Sequence, residues 1–380
     1  MSPRQLNPDL PASIERAILI ALAKESADRF PDVAAFVSAL QPTRRAVLAS
    51  PPSQPLDPGK QQTVPTGLDQ SHLDRLREQG NQLFSRGRYH NAAQVFAQVT
   101  QDDPEDAASI AMLGASLVAD AHYEEGVQKL GHALTLGLGE AFTYAFLAQG
   151  LAALGQYEEA RFVIEEGLRA DPQYSSLYQT KGEVLEALGD FDGAKLAYYQ
   201  SISIQQDAAH SYQLLAFLLL RQEADQEALP VLEQLQALTP EDGWVHQARG
   251  IVLAQLGKHE DALAAFSRAI TLTPMHAALY QQQGDELLAL GYLVEAHSAY
   301  EQAVRLDPQN AEYRLLCGNT YYQLGYYEKA LEAYQVAVEL DPTLAAGWYN
   351  LSVLYTHFGQ TRPARQALRK AQRLGYPVPS

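Results

Sequence analysis

The sequence predicts an all-α protein made of nine helix hairpins of equal length between residues 73 and 378. The first observation is a repeated phrase: GYYEKALEAYQVAVELDP from Gly325 to Pro342 has a counterpart, GYLVEAHSAYEQAVRLDP, from Gly291 to Pro308. The second is that glycine and proline recur at fixed places. The third is that apolar residues between them keep helical spacing, as at Ala330 and Tyr334.

Rows drawn from Leu73 at the spacing of this phrase stay in register without insertion or deletion. Places within a row are counted from its first residue. The nine rows are 73–106, 107–140, 141–174, 175–208, 209–242, 243–276, 277–310, 311–344 and 345–378. A period of this length is typical of stacked repeats that each bury one face on a neighbour.

Two places contain only small residues in every row. Place eight holds Gly80, Gly114, Ala148, Gly182, Ala216, Gly250, Gly284, Gly318 and Ser352. Place twenty holds Ala92, Gly126, Ala160, Ala194, Ala228, Ala262, Ala296, Ala330 and Ala364. A glycine inside a helix costs roughly 1 kcal/mol relative to alanine, so six glycines in one column indicate that another helix packs too closely for a side chain.

Glycine and proline mark the ends of the helices. Place fifteen is glycine in seven rows, which suits the left-handed residue after a helix, and place thirty-two is proline in six rows, which ends the second helix. The second row has Leu138 in place of this proline, although Gly137 and Gly139 can still end the helix. The fourth row ends SISIQQD, without either residue, and the fifth has Glu223 at place fifteen. We expect the stack to be weakest at these two rows.

A helix hairpin of this period, with small residues at places eight and twenty and proline at thirty-two, resembles the tetratricopeptide repeat family. The resemblance covers residues 73–378. It implies a right-handed superhelical solenoid whose concave wall is formed by the first helix of each repeat, mainly by places two, five, six, nine, twelve and thirteen. It also implies that a protein or peptide partner binds there, without catalysis and without a cofactor.

One binding mode of that family holds an acidic peptide C-terminus with a basic residue at place five and asparagine at place nine. Arg77 and Asn81 match this pattern, but Met112 and Phe146 stand where further polar residues are needed. Asn319 and Asn350 similarly lack the basic residue, because Leu315 stands at place five. This carboxylate-binding mode is therefore not predicted.

The predicted wall is apolar and rich in amides, which suits a helix or an extended segment with apolar anchors. The candidate partner-binding residues are Phe142, Phe146, Gln149, Gln179, Gln213, Phe217, Trp244, Gln247, Ile251 and Gln281. In a competing interpretation, Leu214 and Trp244 only fill gaps between repeats.

Residues 1–45 lie outside the repeats and resemble the last two helices of the C-terminal lobe of bacterial serine/threonine protein kinases. The resemblance rests on NPDLP at 7–11, ALAK at 21–24 and ADRFP at 27–31. In that family the arginine corresponding to Arg29 pairs with a buried glutamate of an Ala-Pro-Glu segment, which this chain does not contain. The phosphate loop, catalytic loop and metal-binding motif of kinases are also absent. The alternative is an unrelated amphipathic helix pair.

Residues 46–72 are rich in proline and predict a flexible linker. Without the rest of a kinase lobe, the helices expected before it cannot bury their apolar faces. We expect them to be loosely attached to the repeats or docked on another protein.

Charge and composition exclude several classes of function. Residues 1–72 contain seven Lys/Arg and seven Asp/Glu, so the net charge of −17 falls on the repeats and would repel nucleic acid. The single Cys317 and the scattered histidines predict no disulfide framework and no metal site. With no secretory or membrane-spanning segment, we expect a cytoplasmic, non-enzymatic scaffold. The competing function is the C-terminal regulatory or substrate-recruiting region of a bacterial serine/threonine protein kinase whose catalytic part is missing from this chain.

The last helix combines apolar residues with five cations, which are Arg362, Arg365, Arg369, Lys370 and Arg373. A polar outer face lets a terminal helix cap the stack. The same cations also suggest a docking patch, and the sequence leaves both interpretations open.

Overall fold

The computed structural model describes residues 70–377, and the predicted kinase-like segment and most of the predicted linker lie outside them. Within this range the chain forms eighteen helices and no strand, as the register of the repeats predicts. Each repeat contributes two antiparallel helices. The first helix begins at Gln70 instead of Leu73, so residues 70–72, which were assigned to the linker, are helical.

The chain divides into two compact units between Gln206 and Asp207. The first unit contains α1 (Gln70–Ser85), α2 (Tyr89–Asp102), α3 (Ala107–Ala119), α4 (Tyr123–Thr135), α5 (Ala141–Ala153), α6 (Tyr157–Ala170), α7 (Ser175–Ala187) and α8 (Phe191–Ile204). The second contains α9 (Ala209–Arg221), α10 (Asp225–Leu238), α11 (Gly243–Gln255), α12 (His259–Leu272), α13 (Ala277–Ala289), α14 (Leu293–Leu306), α15 (Ala311–Gln323), α16 (Tyr327–Leu340), α17 (Ala345–His357) and α18 (Thr361–Arg373). Within each unit, every helix packs on the helices that precede and follow it.

The small residue at place eight makes room for the side chain at place twenty-four of the same repeat. A Cβ added to Gly250 would lie 2.6 Å from the ring of Phe266, and one added to Gly318 would lie 2.5 Å from the ring of Tyr334. Where place eight is Ala216, place twenty-four is the smaller Leu232. The glycine column therefore marks the close helix approach that the sequence predicts.

The turn between the two helices of every repeat requires a left-handed residue at place fifteen. All seven glycines at this place have φ between 69° and 83°. The two rows without glycine adopt the same conformation, with φ of 62° at Ala121 and 54° at Glu223. The turn geometry is therefore maintained even where the residue type opposes it.

The ends of the second helices do not depend on proline. In the fourth row α8 ends at Ile204, and the N–H of Gln205 donates to Ser201 O, as in rows that carry the closing proline. In the second row α4 ends at Thr135 and Gly137 takes a φ of 92°, which agrees with the expected role of this glycine.

Candidate functional site

The candidate site lies on the first-helix face, which we define as the surface formed by places two, five, six, nine, twelve and thirteen of the first helices. Each of the two units has such a face. In the second unit it runs over α9, α11, α13, α15 and α17.

Three phenylalanines form a cluster on the first-helix face of the first unit. The rings of Phe142 and Phe146, one turn apart on α5, lie 4.9 Å from each other. The ring of Phe84 on α1 lies 6.3 Å from Phe142 and 5.7 Å from Phe146, and all three side chains are half-buried. Sequence reasoning missed Phe84, although its position at place twelve already assigned it to this face.

The other candidates in the first unit are two glutamines, and the structure also accounts for Arg77 of the carboxylate-binding mode that the sequence excludes. Gln149 on α5 and Gln179 on α7 are half-buried. Arg77 is already engaged, because its Nε donates to Asp106 Oδ2 at 2.8 Å and its Nη1 donates to Asp74 Oδ1 at 2.8 Å. Its guanidinium is therefore paired with carboxylates of the protein itself and does not supply the basic residue that the carboxylate-binding mode requires.

An aromatic pair stands on the first-helix face of the second unit. The ring of Phe217 on α9 lies 4.3 Å from that of Trp244 on α11, with 32° between the two planes. Phe217 is 46 % exposed, whereas Trp244 is half-buried. Gln213 lies one turn before Phe217 on α9. Ile251, another candidate residue, packs against the core cluster that includes Phe266.

A group of hydrogen-bonded polar side chains lies on the first-helix face of α11 and α13. Gln247 Nε2 donates to Gln282 Oε1 at 2.9 Å, and Gln281 Nε2 donates to Asp285 Oδ2 at 3.2 Å. The hydroxyl of Tyr300 donates to Asp285 Oδ1 at 2.6 Å. Burial raises the pKa of Asp285, although the two hydrogen bonds that its carboxylate accepts oppose this shift.

A cleft of about 410 Å³ opens between α15 and α17, and sequence reasoning did not identify it. Asn350 Nδ2 and the Tyr334 hydroxyl both donate to Asn319 Oδ1, each at 2.9 Å. The ring of Tyr349 stacks on Tyr376 at 4.6 Å on the same cleft wall. The tertiary structure therefore brings Asn319 and Asn350 together, although the sequence offered no basic residue to complete a carboxylate-binding site with them.

A signal for this arrangement is present in the sequence. In repeats seven and eight, a tyrosine at place twenty-four stands with a polar residue at place nine: Tyr300 with Asp285, and Tyr334 with Asn319. The tyrosine reaches through the gap left by the place-eight glycine and orients the polar group on the first-helix face. A tyrosine at place twenty-four, a glycine at place eight and a polar residue at place nine therefore predict a hydrogen bond that orients Asp285 and Asn319.

A second cavity, of about 510 Å³, lies away from the first-helix face, between α2, α3 and α4. His90 Nδ1 lies 3.0 Å from Asp120 Oδ2, and His122 lies 3.4 Å from the same carboxylate. Over residues 70–377, no group of three or more His, Cys, Asp or Glu side chains could hold a metal ion. No helix in that range is long and apolar enough to span a membrane.

Family models for the tetratricopeptide repeat match residues 143–174, 175–207, 214–277, 284–325 and 318–356. No curated protein matches the chain. Among solved structures, the C-terminal part of a TPR repeat-containing protein from Cytophaga hutchinsonii is similar, with 18 % identity and a TM-score of 0.53. The match covers 63 % of this chain and 98 % of that one.

Two further solved structures are similar over about half of this chain. MamA from Desulfovibrio magneticus RS-1, residues 41 to the end, has 27 % identity and a TM-score of 0.42, over 44 % of this chain and 94 % of that one. YrrB, described as a TPR protein with an unusual peptide-binding site, has 23 % identity and a TM-score of 0.44, over 48 % and 95 %. The matches of the repeat models together span more than half of the 380 residues, and the chain belongs to the tetratricopeptide repeat family.

Proposed function

We propose that this protein is an interaction scaffold, and that the first-helix face of its second unit binds an extended or helical segment of a partner protein. The observation that carries the proposal is the exposed ring of Phe217, which packs against the ring of Trp244 at a centroid distance of 4.3 Å. A large apolar side chain that is both ordered and exposed can take up a partner's apolar residue with little loss of its own conformational freedom.

The polar side chains on the same face supply directional hydrogen bonds. Asn319 accepts two hydrogen bonds at its Oδ1, so its amide is oriented while its Nδ2 hydrogens have no acceptor among the described residues. Such a donor suits a peptide carbonyl of a bound segment. The cleft beside it is open enough to admit a partner's side chain or backbone.

The proposed contacts are mainly apolar, so we expect partner binding to depend little on ionic strength, although the protein carries a net charge of −17. Salt weakens interactions between exposed charges, but it leaves the burial of an apolar anchor almost unchanged. A strongly basic partner would be the exception.

The test is a selection of peptides from a random display library on the full chain, followed by affinity measurements on the selected peptides. Phe217→Ala should weaken binding about thirtyfold, which corresponds to the roughly 2 kcal/mol typical of a truncated aromatic anchor. The matched control is Tyr292→Ala, which removes a ring of similar exposure outside the first-helix face.

The control should bind like the parent protein. If the Phe217→Ala protein is folded and binds every selected peptide as tightly as the parent, while salt alone releases the peptides, the proposal is wrong. An electrostatic surface on the acidic part of the molecule would then replace it.

The sequence of residues 6–40 favours a second candidate function, which is the recruitment of partners to a serine/threonine protein kinase. In this case the first-helix face would hold a substrate or regulator. Cross-linking with the full chain in its source cells tests this candidate: cross-links from residues 1–45 to a kinase catalytic chain would support it. Recovery of partners cross-linked only to the repeats would count against it.

A further inference from the structure

Four arginines form a line along one side of the last helix, α18. Arg362, Arg365, Arg369 and Arg373 follow one another at steps of three, four and four residues, and all four are exposed. We call them the arginine stripe. This spacing keeps side chains on one face of a helix, and a rise of ~1.5 Å per residue makes the stripe about 16 Å long.

The stripe has no carboxylate partner among the described residues. Other arginines of the chain do have one, such as Arg161 with Glu158 at 2.9 Å and Arg268 with Glu241 at 2.7 Å. Residues 342–380 contain five Lys/Arg and no Asp or Glu, whereas residues 73–341 contain 16 Lys/Arg and 38 Asp/Glu. The one other cation of the helix, Lys370, lies over the ring of Trp348, 4.2 Å from its centroid.

The stability of the helix explains only Arg373, which lies in the last turn, where a cation favours the helix dipole. Like charges three or four residues apart repel each other, and the stripe contains three such neighbouring pairs. Arg362 also lies in the first turn, where a cation opposes the helix dipole. In seven of the other second helices the first turn carries acidic residues instead, namely in α4, α6, α8, α10, α12, α14 and α16.

Capping of the stack does not explain the stripe either. The buried side chains of α18 are Ala364, Ala367 and Ala371, which face the preceding helices. The opposite side needs only to be polar to be solvated. A mixture of acidic and basic residues would do this without the repulsion, so the uniform positive charge needs another cause.

We propose that the arginine stripe binds an acidic segment of a partner protein, at a site separate from the first-helix face. Four guanidinium groups in line complement carboxylates repeated at similar spacing, as on an acidic helix or a short extended run. A membrane surface or a nucleic acid extends well beyond the length of the stripe. Its phosphates would then approach the acidic surface of residues 207–341 in the same unit, which contain 7 Lys/Arg and 19 Asp/Glu, and repulsion would oppose binding.

The test uses the full chain and a short fluorescent peptide that consists mostly of glutamate. The peptide should bind the parent protein, and the affinity should fall as salt is added. Arg365→Glu with Arg369→Glu should weaken binding by about tenfold or more, since two attractive contacts become repulsive. The control, Arg86→Glu with Arg88→Glu, makes the same change in net charge at two exposed arginines of the first repeat and should leave binding unchanged.

The neutral variant Arg365→Gln with Arg369→Gln separates binding from folding. It removes repulsion within α18, so its helical content and thermal stability should equal or exceed those of the parent, while peptide binding still falls. The proposal would be overturned by no binding of the peptide to the parent, by equal loss in the stripe and control variants, or by binding of phosphatidylserine vesicles or an oligonucleotide through the stripe instead of the peptide. Self-association that depends on the stripe would also overturn it, because the ligand would then be a second copy of this chain.

Discussion

At the scale of single residues, the fold depends on pairs of complementary size. Gly250 and Phe266 are one such pair, and in repeat five the same two places hold Ala216 and Leu232. Alanine at position 250 would gain roughly 1 kcal/mol in helix propensity, but its Cβ would lie 2.6 Å from the Phe266 ring. The clash should outweigh this gain, since overpacking a core typically costs ~1–3 kcal/mol.

We therefore predict that Gly250→Ala destabilises the protein, and that Phe266→Leu in the same chain relieves part of the loss. Urea unfolding of the two single variants and the double variant measures this coupling, which should be about 1 kcal/mol or more. Simple addition of the two single effects would show that the pair does not act through steric fit.

Cys317 gives a second prediction at this scale. Its side chain is 5 % exposed, and burial raises the pKa of its thiol from 9.0 to about 12. This increase leaves about a thousandfold less thiolate at pH 8, and the thiolate is the reactive form. Thiol labelling at pH 8 should be very slow in the folded protein and fast in urea. Equal rates in the two conditions would mean that repeat eight opens readily.

At the scale of elements, the turn between the two helices of repeat five has a residue that is poorly suited to its backbone conformation. Glu223 adopts a φ of 54°, a conformation that costs an L-residue about 1 kcal/mol or more. We predict that Glu223→Gly stabilises the protein by about 0.5–1 kcal/mol, since seven other repeats use glycine there. Gln234→Gly, in the middle of α10, is the control and should destabilise by roughly 1 kcal/mol. Thermal unfolding should show opposite shifts, and shifts of the same sign would contradict the argument.

At the scale of the whole molecule, the division at Gln206 and Asp207 falls in the rows that lack the usual punctuation. Pro230 also lies inside α10, where it removes one backbone hydrogen bond. We predict faster hydrogen exchange over Ser201 to Pro230 than over Gly284 to Pro342, because segments with fewer supporting contacts open at lower free energy. Exchange detected by mass spectrometry measures both ranges in one experiment, and equal protection would refute the prediction.

The two proposed surfaces should also differ in their response to salt. Binding at the first-helix face depends on apolar burial around Phe217, whereas binding at the arginine stripe depends on exposed charges. We predict that raising the salt concentration releases an acidic peptide from the stripe before it affects a peptide held at the first-helix face. Simultaneous release of both peptides would show that they share one electrostatic site.

The period, the helix hairpins and the left-handed turns followed from the sequence alone. The reason is that these features depend on local rules: glycine tolerates positive φ, proline ends a helix, and apolar spacing decides which face is buried. The row that departs from the turn pattern was also recognisable, since Glu223 stands in a column that is glycine in seven other rows. The same rules assigned Phe217 and Trp244 to one face, although they did not predict that the two rings are in contact.

Only the tertiary structure decided which polar groups meet. Asn319 and Asn350 are 31 residues apart, and Gln247 and Gln282 are 35 apart, yet each pair shares a hydrogen bond of 2.9 Å. Arg77 matches a binding motif by its place in the repeat, but the fold pairs it with Asp106. The hydrogen-bond partner of a long polar side chain depends on its rotamer and on the separation of neighbouring helices. A difference of about 1 Å in either decides whether the bond forms, and no spacing within the sequence encodes that distance.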